Sequence, residues 1–262
     1  MHSITRKVLS GVALAALLVL GAGVASASHS WGNYHWARTA DSFTLQMGDN
    51  VSSNWDEDLR TTSTAWSVSE VLDTTVVAGK GGKSCKAQTG RIEVCNRTYG
   101  YNGWLGLAQI YVSGSHITKG IAKMNDSYFN LSLYNTPDER LHVMCQEVGH
   151  LFGLGHTSED GTSQGTCMDY SSSPDSTLPN AHDYEQLAAI YAHLDTFTTV
   201  GSTVTRNRGA SALAKSDDFE NASEWGKEIY RSGDGHASVF ERDLGHGERV
   251  LTHVRWADKG AK

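Results

Sequence analysis

The chain has 262 residues, a formal net charge of −7, four cysteines, three prolines and 27 glycines. That length allows one large domain, or one domain with a smaller appendage. A hydrophobic content of 39% with seven Trp, ten Tyr and six Phe excludes extensive disorder, and an acidic balance without long charge runs argues against nucleic acid as a partner.

The first segment carries Arg6 and Lys7, then an uncharged run from Val8 to Val24, then Ala25-Ser26-Ala27. A basic start, an apolar middle and a small-residue end are the layout of a secretory signal peptide over residues 1–27. A membrane anchor is the alternative, but the run is short for a span and meets a cleavage-type tripeptide at once. The expectation is therefore a secreted, extracellular protein with no membrane attachment after cleavage, monomeric by default. Removing Arg6 and Lys7 makes it more acidic still. In an oxidising compartment four cysteines read as two disulfides, and three pairings are open. Proximity favours Cys85–Cys95, which bracket a Gly-containing loop, and Cys145–Cys167. A thiolate metal site is the alternative, and no Cys-x-x-Cys pair supports it.

Further along, Ser28–Ala40 is rich in aromatics and leads into Ser42–Met47, where Phe43, Leu45 and Met47 alternate as in a strand. Trp55–Ser69 is expected as a helix and Val71–Val77 as a strand. Gly103–Val112 and His116–Met124 are strand candidates joined by Ser113-Gly114-Ser115, and Phe129, Leu131 and Leu133 alternate as in a short extended piece. Thr136-Pro137-Asp138-Glu139 then combines an N-cap, a Pro at the first helical position and a Glu three residues after the cap. Leu141, Met144, Val148 and Leu151 follow at helical spacing and should face the core, and Gly153 is the expected stop. A second helix is expected over Asp183–Leu194. Residues 201–216 read as a linker. Residues 217–262 read as a small separate module, with a short helix at Ala222–Ser232 and a hairpin from Ala237–Arg242 to Arg249–Trp256.

The strong helix carries Gln146-Glu147-Val148-Gly149-His150-Leu151-Phe152-Gly153-Leu154-Gly155-His156. Positions 146 and 150 are i and i+4, so their side chains project from one helical face about 6 Å apart. Glu147 lies beside them, within reach of a metal-bound water. Gly153 can adopt positive φ and turn the chain so that His156 returns to the same point. Three ligands and an open position describe a catalytic zinc site rather than a closed structural one. Gln146 reaches about as far as a histidine, but its carbonyl oxygen is a weaker zinc ligand than imidazole. His142 lies about 12 Å from His150 along the axis, too far to share one coordination sphere, and is expected either to support a ligand from behind or to be structural.

These residues resemble the metzincin zinc peptidases, whose signature is His-Glu-x-x-His-x-x-Gly-x-x-His followed by a Met-turn. Cys167-Met168-Asp169-Tyr170 looks like that turn, with Met168 beneath the metal. Tyr170 is placed as in the astacin and serralysin branches, where the tyrosine contacts the zinc or stabilises the oxyanion. In layout the resemblance spans Tyr34 to Leu194. It implies an α+β matrixin- or astacin-like catalytic domain over residues 28–200: a twisted mixed sheet, an active-site helix, a Met-turn and a closing helix. The departure is Gln146, which stands where the family has its first ligand histidine.

The resemblance implies a zinc endopeptidase. Zn2+ would be held by Gln146, His150 and His156, with Glu147 as general base and Tyr170 at the developing oxyanion. Protein or peptide substrates would lie extended along an edge strand within Gly103–Met124 by main-chain pairing. The rival, motivated by Gln146, is a catalytically inactive zincin-fold protein that binds or adheres. Calcium at Glu159 and Asp160 is an open alternative but is not indicated, since both read as solvated loop charges. His182, His193, His236, His246 and His253 read as surface or structural residues.

Overall fold

The computed structural model describes residues 28–201 and 219–261; the signal-like segment, most of the expected linker and Lys262 lie outside the described residues. The chain is mixed α+β. Its strands are β1 (His35–Trp36), β2 (Phe43–Asn50), β3 (Leu72–Ala78), β4 (Ile92–Arg97), β5 (Trp104–Ser113), β6 (His116–Asn125), β7 (Lys227–Arg231), β8 (Ala237–Gly245) and β9 (Glu248–Trp256). The helices are α1 (Asp56–Trp66), α2 (Asp126–Phe129), α3 (Pro137–His150) and α4 (Ala181–Ile190). All the strands share one sheet of order β3-β2-β4-β6-β5-β9-β8-β7, with β1 on β6. β1, β2, β3, β4 and β6 run parallel, whereas β5, β7, β8 and β9 form antiparallel pairs.

Both faces of the sheet centre are covered, so β5 is apolar nearly throughout rather than alternating. Helices α1 and α3 lie on one face over Leu45, Ile92, Leu105, Ile110 and Leu251. The other face carries a second apolar cluster in which Trp104, Leu107 and Tyr111 meet Phe219, Trp225 and Val254. Residues 219–261 are thus not a separate module: β9 pairs with β5 along most of its length and extends the main sheet. The short helix expected at Ala222–Ser232 is a single 3-10 turn, Ala222–Glu224, followed by β7. Gly226 breaks it, with φ of 92° and no room for a Cβ against the Glu241 carbonyl. The extended piece expected around Phe129 is instead α2, capped by the Asn125 side chain, and turns.

Helix α3 begins as its sequence dictates, with Thr136 Oγ1 accepting from the Glu139 N–H at 3.2 Å and Pro137 at the first turn. Met144, Val148 and Leu151 are fully buried, and each such side chain stabilises the fold by about 1.5–3 kcal/mol. Leu141, expected with them, is partly exposed. Gly153 ends the helix at φ of 95°, and a Cβ there would strike the Tyr34 carbonyl. Helix α4 stops four residues short of Leu194. Both expected disulfides are present, Cys85–Cys95 and Cys145–Cys167; the second ties α3 to the Met168 turn. Two disulfides fit an oxidising compartment, and no described helix is long and apolar enough to cross a membrane.

Candidate metal centre

The last turns of α3, the bend at Gly153 and strand β9 bring His150, His156 and His253 together, with one ring nitrogen of each within 4.8 Å of the others. The His150 and His253 rings are tilted to one another with 4.0 Å between centroids, and His156 lies 4.6 Å from His150. In each ring Nδ1 has a partner. His150 Nδ1 donates to the Leu154 carbonyl at 2.8 Å, and His253 Nδ1 donates to Glu147 Oε2 at 3.0 Å. His156 Nδ1 donates to Glu159 Oε1 at 3.1 Å, with the Tyr170 hydroxyl 2.9 Å away. The three Nε2 atoms are buried and have no hydrogen-bond partner. Carbonyl or carboxylate acceptors on Nδ1 fix the tautomer that presents the Nε2 lone pair, the outer-shell arrangement of metal-bound histidines. Burial also holds these rings neutral: His150 and His253 are lowered to about 3, and His156 well below its ordinary value. Neutral imidazole is the form that binds a metal.

Two of the expected ligands, His150 and His156, are in this group. Gln146, the expected third, is not. Its Nε2 donates to the carbonyls of Cys167 and Asp169 at 2.9 and 2.7 Å, and its Oε1 accepts from Arg255 Nη1 at 3.1 Å. Both N–H bonds of the amide are used, and its Oε1 already faces the cationic Arg255 guanidinium, which competes with a metal ion there. Gln146 therefore clamps the turn at Met168 to α3, alongside the Cys145–Cys167 bridge. His142 is structural, one of its two expected roles, its Nε2 accepting from Arg255 Nη1 at 3.2 Å.

His253, read from sequence as surface or structural, takes the place expected of Gln146. It is 1% exposed and stands two residues from Arg255 on β9, so both project from one face onto α3. The signal present in Val250-Leu251-Thr252-His253-Val254-Arg255 was a weak one: His253 and Arg255 stand at i and i+2 and so share one face of the strand.

The remaining expected residues fall into less direct positions. Glu147 is buried beneath His253 and absent from the pocket wall, with Oε2 engaged and Oε1 lacking a hydrogen-bond partner. Burial raises its carboxyl to about 8, against the pull of His150 and Arg255. Tyr170, expected at an oxyanion, stands instead on the Nδ1 edge of His156, away from Nε2. Met168 is fully buried, packed so closely under Gly149 that a Cβ there would approach its Sδ to 2.5 Å.

A cavity of about 280 Å³ opens onto the three imidazoles. Trp31, Glu159, Ile229, Tyr230 and Val239 wall it, and Glu159 Oε2 accepts from the Tyr230 hydroxyl. The substrate edge expected within Gly103–Met124 is not free, because β5 is paired with β6 on one side and β9 on the other. The open edge beside the cavity belongs to β7, whose Ile229 and Tyr230 are 50% and 42% exposed.

The depressed histidines set a pH dependence for the metal-free protein. Below about 6.5 the unfolded chain binds protons that His150 and His253 refuse until about 3 and His29 until about 4. Stability is therefore expected to fall as pH drops through that window. Glu147, held up to about 8, works in the opposite sense, as do the raised carboxyls of Asp58 and Asp183, but His142 and His156 are lowered as well, so five histidines stand against three carboxyls. Chemical denaturation of chelator-treated protein from pH 7 to pH 4 checks this: a midpoint that stays flat or rises contradicts it. No known protein family matches the chain, and no curated protein matches it either.

Proposed function

We propose that the protein is a secreted, zinc-dependent endopeptidase of metzincin-like plan whose metal is held by His150, His156 and His253. The observation that carries this reading is the convergence of three buried, unpartnered Nε2 atoms at the floor of a cavity. Three imidazoles with the remaining face toward a cavity suit a catalytic zinc site. Zinc bound there supplies a Lewis acid and a water acidic enough to ionise near neutral pH. The protein's own residues do the rest. Glu147 Oε2 orients His253 through Nδ1, and the same carboxyl, behind that ring rather than on the cavity wall, would take the proton of the attacking water and return it to the leaving amine. Leu154 and Glu159 hold His150 and His156 in the same tautomer. An extended substrate adds to the free edge of β7, with one side chain in the cavity between Trp31 and Tyr230.

One observation favours a second reading. In the chain as folded, β9 covers the edge of β5 along which a substrate was expected to lie. That suits a protein of this plan that keeps its metal and binds rather than cleaves. Purified secreted protein should contain zinc and cleave members of a peptide library, with cleavage abolished by chelation and restored by zinc. Stoichiometric zinc at the three histidines without cleavage of any peptide selects the binding reading, and protein that takes up no metal there refutes both.

A further inference from the structure

On β1 and β6, His35 and His116 are directly paired in a parallel ladder, so their side chains leave the same face of the sheet. The segment after α4 brings His193 and Asp195 to the same place. Asp195 is fixed by reciprocal backbone contacts: its N–H donates to the Arg38 carbonyl at 2.8 Å, and its Oδ2 accepts from the Arg38 N–H at 3.0 Å. That leaves Oδ1 facing three imidazoles. His116 Nε2 is 3.1 Å from it, His35 Nε2 3.7 Å and His193 Nε2 4.0 Å, while His35 and His193 Nε2 are 3.1 Å apart. The carboxylate is 10% exposed, His35 9%, His116 25% and His193 53%.

The hydrogen count at His35 is informative. Its Nδ1 lies 2.8 Å from the Asn33 carbonyl, which only accepts, so the hydrogen of the neutral ring is on Nδ1 and Nε2 carries a lone pair. That lone pair points at a carboxylate oxygen and a second imidazole. A cation shared by these groups satisfies that lone pair and the carboxylate oxygen at once. Four donors about a tetrahedral ion with bonds of about 2.0–2.1 Å stand roughly 3.3 Å from one another; the ligand atoms of His35, His116 and Asp195 all lie within 4.8 Å of one another, and His193 Nε2 stands beside them, nearest to His35.

From this geometry we infer that His35, His116, His193 and Asp195 form a second, closed metal site that takes zinc or a zinc-like divalent ion. His35, His116 and Asp195 already lie together, and a turn of the half-exposed His193 ring adds the fourth donor, which gives the closed pattern of a structural site. The ion would fasten three segments far apart in sequence: the N-terminal strand, β6 and the exit of α4. The site does not depend on the proposed activity.

The test is metal content and thermal stability of the secreted protein after removal of metal and titration with zinc. Two equivalents are expected. His116→Ala and His193→Ala should each weaken one equivalent by about 100-fold or more, since loss of even an outer-shell partner costs 10–100-fold. Both should leave the second equivalent intact. Because His193 is half exposed, its variant folds even where His116→Ala does not. His150→Ala should remove the other equivalent alone. Cobalt substitution into His150→Ala protein should give the visible bands of a tetrahedral ion, lost again in His150→Ala/His193→Ala. A wild-type content of one equivalent that His193→Ala and His116→Ala leave untouched overturns the inference. One equivalent lost in His193→Ala but kept in His150→Ala upholds it while refuting the centre at His150.

Discussion

Replacing His253 with alanine is expected to strip zinc from the cavity and abolish hydrolysis, while Gln146→Ala keeps the metal. In the proposed centre His253 supplies one of three ligands, so its loss should weaken binding by about 100-fold or more, beyond the 10–100-fold typical of outer-shell partners. Gln146 binds only protein groups: two backbone carbonyls and Arg255. Truncating it strands these buried groups, at a cost of about 1–3 kcal/mol for each one left unsatisfied. Gln146→Ala should therefore melt early but retain zinc once folded. Equilibrium dialysis with zinc, paired with thermal melts, separates the two outcomes. If His253→Ala holds zinc as tightly as wild type while Gln146→Ala releases it, the ligand set is the one expected from sequence.

The second large effect concerns Glu147. Glu147→Gln retains an acceptor for His253 Nδ1, so zinc affinity should be nearly unchanged. It removes the proton acceptor, so kcat should fall by about 10²–10⁴-fold. Glu147→Ala removes both and should also weaken zinc by about 10–100-fold. The comparison of the two variants separates proton transfer from positioning. A Gln variant with full zinc and near-normal kcat reduces Glu147 to the residue that orients His253.

Helix α3 was legible because local physics specifies it: a Thr cap, Pro at the first turn, an apolar stripe and a terminal Gly act within a few residues of one another. The disulfides were legible for the same reason, since short separations favour the pairings found. Two of the three histidines followed from the helix and its bend. The third did not, because β9 reaches the site through pairing with β5, a contact that no local pattern encodes. Gln146 misled for a related reason. Spacing put its side chain on the correct helical face, but spacing is silent about the Cys167 and Asp169 carbonyls and Arg255 that claim it. The mixed sheet was foreseeable as a class, whereas its continuation into residues 219–261 depended on an apolar face formed by Trp104, Leu107 and Tyr111 that only assembly reveals.

Strand β9 gives the proposed centre a temporal order. Glu147 and His253 are 106 residues apart in sequence, so their contact closes a long loop. Until that loop closes, α3 and the bend that follows it offer two imidazoles and an incomplete coordination sphere. Metal capture at this cavity is then a late event in folding, conditional on the docking of the last strand. A chain interrupted before β9 would carry the complete helix motif and yet lack a competent centre.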